Sequence, residues 1–459
     1  MPRSPAATTR NTSCSGGPVL ARYLGSKQAI MPELLATVEQ HAEPGAHVVD
    51  AFSGSLAVSL GLKQAGYRVT ANDINLFSAV LAEAYLLPAE PPETDAHALL
   101  PARRVKEYLP VARRITKELS GEPGYAFLGE PEWRARYENY LTVQTHLANL
   151  TPGQLPARHR KTHFFDTYCE LGSNSAYESS RGAKGHRRFF TPENAHRIDL
   201  AVNQLRAWRR ADRIDRQTYA LLLANLMRAV EKVSNTQGTY HDFPRDRWDS
   251  RALRPLRFDP PALDPYLGGV GGHTVGVERD TLDFIGEVDG HSVLYIDPPY
   301  NFRQYTAYYF LPNVLCRYPE MDDVDEYFAN VRYVRGQNPE DDFTSTFCKP
   351  KRFIADMHEL IERAACRTVV ISYFTGANHW SSFDTGPNDT GRELLSELLS
   401  GDLFEPGSLS VLEVPRRNYA SYGGYTARTV HELLLVAEKK QGEERGTTKR
   451  AARRLRQLA

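Results

Sequence analysis

From residue 46 the chain alternates short apolar runs with turns in a regular order. The run Ala46-His-Val-Val-Asp50 is rich in β-branched residues and ends on an acid, which predicts a strand. Ser55 to Ala65 follows, where Leu56, Val58, Leu60 and Leu62 contribute a helical face and Gly66 stands just past the end, as a helix stop does. Tyr67 to Ala71 predicts a second strand and Asn72-Asp-Ile-Asn75 a polar turn. Leu76 to Leu87 predicts a second helix, closed by the prolines at 88, 91 and 92. Strand, glycine turn, helix, strand, acidic turn, helix is the opening of an open parallel α/β sheet.

The pattern then stops for most of the stretch up to Gly271. That stretch reads as helices and polar loops with aromatic and basic residues interleaved, notably Thr162 to Tyr168 and Arg181 to Phe190. Strands are predicted again at Thr274–Val277, Ser292–Ile296, Thr368–Tyr373, Ser410–Val414 and Val430–Ala437, with helices at Phe353–Ala365 and Arg392–Leu399. The expected architecture is one α/β domain, residues 19–95 and 270–437, interrupted by a long, mainly helical insertion at 96–269. Residues 1–18 are expected to form a disordered tail and 438–459 a basic one.

Composition sharpens this picture. The 459 residues are 41% hydrophobic and 24% charged, as in soluble globular chains. Lys plus Arg and Asp plus Glu are 56 each, which excludes a uniformly basic nucleic-acid binder. The distribution is uneven: net −3 over residues 1–100, +10 over 101–260, −11 over 261–400 and +4 over 401–459. The insertion is therefore the basic segment, and with its interleaved aromatics it has the composition of a phosphate-backbone surface or of an ordinary solvated helical domain. Five cysteines, odd in number and never in a C-x-x-C pair, argue against a disulfide framework and a thiolate metal site, so no metal is expected. No run of about 18 apolar residues predicts a membrane span, and a reducing cytoplasmic setting is expected.

Two motifs carry chemistry. In Ser292-Val-Leu-Tyr-Ile-Asp-Pro-Pro-Tyr300 an apolar strand ends in a carboxylate, two prolines and an aromatic. The prolines remove two backbone donors and fix φ twice, leaving rigid carbonyls free to accept. Asp297 and the Pro298 carbonyl suit both hydrogens of a planar amino group, and the Tyr300 ring offers a face for a flat base. In Asp50-Ala-Phe-Ser-Gly-Ser55 a small-residue turn joins strand to helix, where backbone N–H groups face the crevice of such a sheet. Asp73 ends the next strand, at the spacing where a carboxylate grips ribose hydroxyls. No phosphate loop with a following Lys is present, so ATP is not expected.

Together these segments resemble the DNA adenine methylases. Tyr23-Leu-Gly-Ser-Lys27 is similar to that family's N-terminal motif, Asp50 to Ser55 to its glycine motif, Asn72-Asp-Ile-Asn75 to its ribose motif, and Asp297-Pro-Pro-Tyr300 to its catalytic tetrapeptide. Asn301 to Tyr305, Ile371 to Tyr373 and Glu432 to Val436 also resemble family segments. The resemblance implies a Rossmann-like methyltransferase sheet with a target-recognition insertion, S-adenosylmethionine as cofactor and double-stranded DNA as substrate. It places Asp297, Pro298, Pro299 and Tyr300 in catalysis. It places Tyr23, Lys27, Asp50, Phe52, Gly54, Asp73, Ile74, Asp280, Thr281 and Asp297 at the cofactor, with Lys27 on its carboxylate and Asp280 on its adenine. Arg181, Lys184, Arg187, Arg188 and Arg303 are the expected DNA contacts. A cognate restriction endonuclease or defence-system component is the partner the resemblance implies, in the nucleoid of a bacterial or archaeal cytoplasm, with no membrane partner. Cytosine amino methylation, RNA adenine methylation and DNA binding without catalysis remain open alternatives. One departure stands out: the family usually carries a second glycine two residues after Gly54, where this chain has Leu56.

Overall fold

The computed structural model describes residues 20–440 apart from 21, 377, 381–388 and 418–428. The tail expected at 1–18, and the tail expected at 438–459 beyond residue 440, lie outside the described residues.

Seven strands form the main sheet: β1 (His47–Asp50), β2 (Arg68–Asp73), β5 (Thr274–Val277), β6 (His291–Ile296), β7 (Cys366–Phe374), β8 (Ser410–Arg417) and β9 (Thr429–Glu438). Their spatial order is β5-β2-β1-β6-β7-β9-β8. The first five are parallel, and β9 lies antiparallel between β7 and β8. The chain walks outward from β1 through β2 to β5, then returns to lay β6 and β7 on the other side of β1. That reversal makes the carboxyl ends of β1 and β6 a topological switch point, the place where open α/β sheets bind ligands.

The inner strands are apolar on both faces because both faces are covered. Alternate residues divide accordingly: Val48, Val293 and Tyr295 belong to one hydrophobic core, Val49, Leu294 and Ile296 to the other. Helices Pro350–Arg363 and Thr390–Leu399 cover the second face through Phe353, Met357, Leu395 and Leu399. Helix Ala57–Gln64 covers the first, and Gly66 closes it in the left-handed conformation (φ +89°). Sheet-strand expectations agree with the structure to within a few residues at each end.

The segment between β2 and β5 is built on helices Ala102–Leu119, Pro131–Ala148, Pro192–Arg210 and Arg216–Val233. These share the first-face core with the sheet, since Tyr140, Leu205 and Leu222 belong to the same buried cluster as Val48 and Leu62. One element was not expected: a hairpin, β3 (Ala176–Glu178) antiparallel to β4 (Lys184–His186). Its strands are three residues each, with exposed ends and no apolar alternation, so the usual period-two signal is missing.

Candidate active site

The carboxyl ends of β1, β2, β5 and β6 deliver Asp50, Asp73, Asp280 and Asp297 to one cleft of about 890 Å³. All thirteen residues expected in catalysis or at the cofactor line it.

The turn after β1 is held by the acid that ends β2. Gly54 N–H donates to Asp73 Oδ2 at 2.8 Å, and Asp73 Oδ1 accepts from the Asn75 backbone N–H and from its side-chain amide, both at 2.8 Å. Burial pushes the Asp73 carboxyl up, and these donors oppose that shift. Gly54 takes φ +47°, and a Cβ there would fall 2.5 Å from the Tyr23 hydroxyl oxygen. Both conformation and space therefore demand glycine. Tyr23 itself stacks on Tyr309, with ring centroids 4.7 Å apart.

Leu56 resolves the departure noted in the sequence. It adopts φ +64°, the left-handed region a glycine would favour, but its side chain is fully buried in the first-face core and does not line the cleft. The strain is local and the cleft is not crowded.

Asp50 accepts from Ser59 Oγ at 2.6 Å through Oδ2, while its other oxygen is buried with no partner of good hydrogen-bond geometry, the Phe52 N–H nearby giving the carboxyl only weak support. Burial, with Asp297 and Asp73 nearby, pushes its carboxyl up to about 7 against the Ser59 hydrogen bond. An orphan carboxylate oxygen on a cleft wall is a ready acceptor for a cationic group. Thr281 Oγ1 donates to the Ala51 carbonyl at 3.0 Å, and Asp280 caps the short helix Thr281–Ile285 by accepting from Leu282 N–H at 2.8 Å. Phe52 meets Phe347 edge to face at 5.1 Å. Phe343, Ser345 and Phe347 also line the cleft; they come from a short 3₁₀ turn and its approach, which carry no motif.

Lys27 is not directed at open space. Its Nζ lies 2.9 Å from Asp297 Oδ1 and 2.7 Å from Glu432 Oε1, with the side chain 2% exposed. Two protein carboxylates therefore hold it at the cleft wall, and they outweigh the effect of burial to raise its pKa. Burial lifts Asp297 to about 6 despite Lys27. Its side chain keeps 18% exposure toward the cleft, and the Tyr300 ring packs near Tyr373 and Phe374.

A sequence model of the D12 class N6 adenine-specific DNA methyltransferases matches residues 23–337, more than half of the chain. The chain belongs to this family. Among its relatives, the type II methyltransferase M.FokI of Planomicrobium okeanokoites is 27% identical over 421 residues, covering 91% of this chain and 52% of that protein. The modification methylase StsI of Streptococcus sanguinis is 23% identical over 427 residues, with the same two coverages. The type II methyltransferase M.NlaIII of Neisseria lactamica is 34% identical over 195 residues, 40% of this chain and 53% of that one. The chain spans about half the length of the curated relatives it matches.

The five basic residues expected at DNA divide. Arg181 is exposed on the hairpin turn, and Lys184 pairs with Glu178 across the hairpin at 3.0 Å. Arg188 pairs with Glu170 at 2.6 Å and lies over the Trp248 ring. Arg303 lies over Tyr308 in a second groove, of about 1180 Å³, that also holds His241, Arg245 and Arg247 and shares Leu24 with the first cleft. Arg187 is a correction: it is 3% exposed and donates to the backbone carbonyls of Val334, Asn174 and Tyr333. Its guanidinium is a structural clamp. In the loop after helix Arg216–Val233, Asn235 bridges the Arg188 and Arg247 carbonyls, and Gln237 and Thr239 line the second groove. Among the described residues no cluster of three His, Cys, Asp or Glu could hold a metal ion, and no helix is long and apolar enough to cross a membrane.

Proposed function

We propose that this protein transfers a methyl group from S-adenosylmethionine to the exocyclic N6 of adenine in double-stranded DNA, as the modification component of a restriction-modification or host-defence system. The observation that carries this reading is the single cleft in which the Asp297-Pro-Pro-Tyr300 segment faces the Asp50 and Asp73 turn. The cleft fits the cofactor. The orphan oxygen of Asp50 is an acceptor for its ammonium group, Asp73 for the ribose hydroxyls, and Asp280 for its adenine amino group. Bound there, S-adenosylmethionine supplies a methyl group already activated by the adjacent sulfonium.

The protein must then supply alignment and a better nucleophile. Adenine's amino nitrogen is weak because its lone pair is delocalised into the ring. Hydrogen bonds from that group to the Asp297 carboxylate and the Pro298 carbonyl favour a more pyramidal nitrogen, which aims the lone pair for in-line attack. The amino group would lose one proton on methylation, and the Asp297 carboxylate, hydrogen-bonded to it, would accept that proton and pass it to solvent. Tyr300 stacks on the base, which leaves the duplex at a cost of a few kcal/mol that stacking and phosphate contacts offset. The second groove, with Arg245, Arg247 and Arg303, supplies cationic and aromatic surface beside the cleft for the flanking strand. The names of the relatives favour a modification role, and bacterial relatives favour a cytoplasmic setting.

The test is to incubate the protein with methyl-labelled cofactor, duplex DNA and RNA, and to identify the labelled nucleoside. N6-methyladenine in DNA is expected, and Asp297→Ala is expected to lower the rate by about a hundredfold or more while cofactor binding persists. N4-methylcytosine, label in RNA, or full activity in the variant would overturn the reading.

A further inference from the structure

Behind the cleft, β8 and β9 place a second layer of charge. Glu432 on β9 is fully buried, opposite Phe374 of β7 and Val414 of β8. Its Oε1 accepts from Lys27 Nζ at 2.7 Å and from Ser372 Oγ at 2.8 Å; its Oε2 accepts from Arg416 Nε at 2.8 Å. The Arg416 guanidinium also lies over the Phe374 ring at 4.7 Å, and that ring packs 5.5 Å from Tyr300. Ser372, Phe374, Arg416 and Glu432 all lie beyond residues 23–337, where the family model matches, whereas Lys27 and Tyr300, which they contact, lie within it.

Two arms thus run from Arg416 to the two ends of the catalytic tetrapeptide. One passes through Glu432 and Lys27 to Asp297, the other through Phe374 to Tyr300. A buried carboxylate in a sheet is costly, and a well-packed apolar residue would stabilise the strands as well or better. Here the carboxylate is kept ionised: burial would raise it, but Lys27 and Arg416 hold it below the usual range. The four charges, Lys27 and Arg416 against Asp297 and Glu432, cancel.

We infer that Glu432 and Arg416 are positioning residues for methyl transfer, acting through Lys27 on Asp297 and through Phe374 on Tyr300. With Glu432 in place, the Lys27 ammonium is shared between two carboxylates, one Asp297 oxygen is occupied, and the other remains to accept from the amino group. Without that charge, Lys27 pairs with Asp297 alone and competes with the base for it. The inference rests on the proposed methyl transfer.

Glu432→Gln keeps the size and the polar atoms but removes the charge. The expected result is a kcat lowered by roughly tenfold or more, with cofactor Kd and DNA KM each within about threefold of wild type. A merely structural role would instead lower the melting temperature and weaken cofactor and DNA binding along with the rate. Should Glu432→Gln fail to fold, Arg416→Met carries the test, with the same kcat-specific loss expected. A folded variant of either kind with wild-type kcat overturns the inference while the methyl-transfer reading stands. If the wild-type protein itself transfers no methyl group, both fall together.

Discussion

The hydroxyl oxygen of Tyr23 occupies the space beside Gly54 that any Cβ would need, 2.5 Å from where that carbon would lie. Tyr23 cannot easily yield, because its ring is stacked on Tyr309 and packed near Phe77. Nor can the backbone, because Gly54 N–H is bonded to Asp73. Gly54→Ala therefore meets a clash and an unfavourable φ together, each of order 1 kcal/mol or more. The expected outcome is a loss of about 2 kcal/mol in denaturant unfolding and a weaker cofactor Kd by calorimetry. Adding Tyr23→Phe relieves the nearest contact, and the double variant should recover part of the stability.

Asp297 and Asp50, two of the raised carboxyls in the cleft, give the site a shared pH dependence. Asp297 must be ionised to accept from the amino group, and its carboxyl sits near 6. Asp50 must be ionised to hold an ammonium group, and its carboxyl sits near 7. A raised pKa means the acceptor form is lost on acidification sooner than for an ordinary carboxylate. Single-turnover methyl transfer should consequently fall as pH drops through about 6, and cofactor affinity should already weaken below about 7. Asp50→Asn should remove the upper of the two transitions from the affinity profile. A flat affinity profile between pH 5 and 8 would show that Asp50 does not meet a cation.

Leu56 makes a stability prediction in which two effects compete. Leu56→Gly releases left-handed strain of about 1–2 kcal/mol. It also removes a fully buried leucine side chain from the core, a loss of about 2–5 kcal/mol when the cavity is counted, and adds backbone freedom to the unfolded chain. Burial wins, so the variant should be less stable by about 1–3 kcal/mol, with cofactor affinity unchanged because the side chain does not line the cleft.

The same residue shows what the sequence could and could not reveal. The α/β order was legible because strands buried on both faces are apolar throughout, and because Gly66 and the prolines near 90 punctuate the helices. The cleft was legible because its acids stand at strand ends, which the topology of a parallel sheet gathers at one edge. Arg416 and Glu432 were not legible as site residues, since β8 and β9 join the sheet by antiparallel pairing that no local spacing encodes, and Phe347 was not because its 3₁₀ turn carries no motif. Arg187 misled for a related reason. Positive charge in a basic segment reads as surface, whereas its three carbonyl partners come from residues 174, 333 and 334, two of them far along the chain.

That contrast yields the last prediction. Arg187 and Arg181 are six positions apart on the same hairpin segment, yet one is buried on backbone carbonyls and the other exposed. Arg187→Ala removes a buried guanidinium and takes the donor from three part-buried carbonyls, of which Tyr333 keeps the Gly336 N–H, so it should destabilise the fold by about 1–3 kcal/mol. Its DNA affinity, measured on the fraction that remains folded, should keep the wild-type dependence on salt. Arg181→Ala and Arg303→Ala should leave the melting temperature within a degree or so, since neither makes a buried hydrogen bond with its side chain, in line with ordinary surface substitutions. Each should instead weaken binding and reduce the slope of log K against log salt by about one. Fluorescence anisotropy titrations of a labelled duplex at several salt concentrations, run beside thermal melts, separate the two classes. If the Arg181 variant keeps the full slope, the positive excess around the hairpin is solvated surface, and if the Arg303 variant keeps it, the second groove is not on the DNA path.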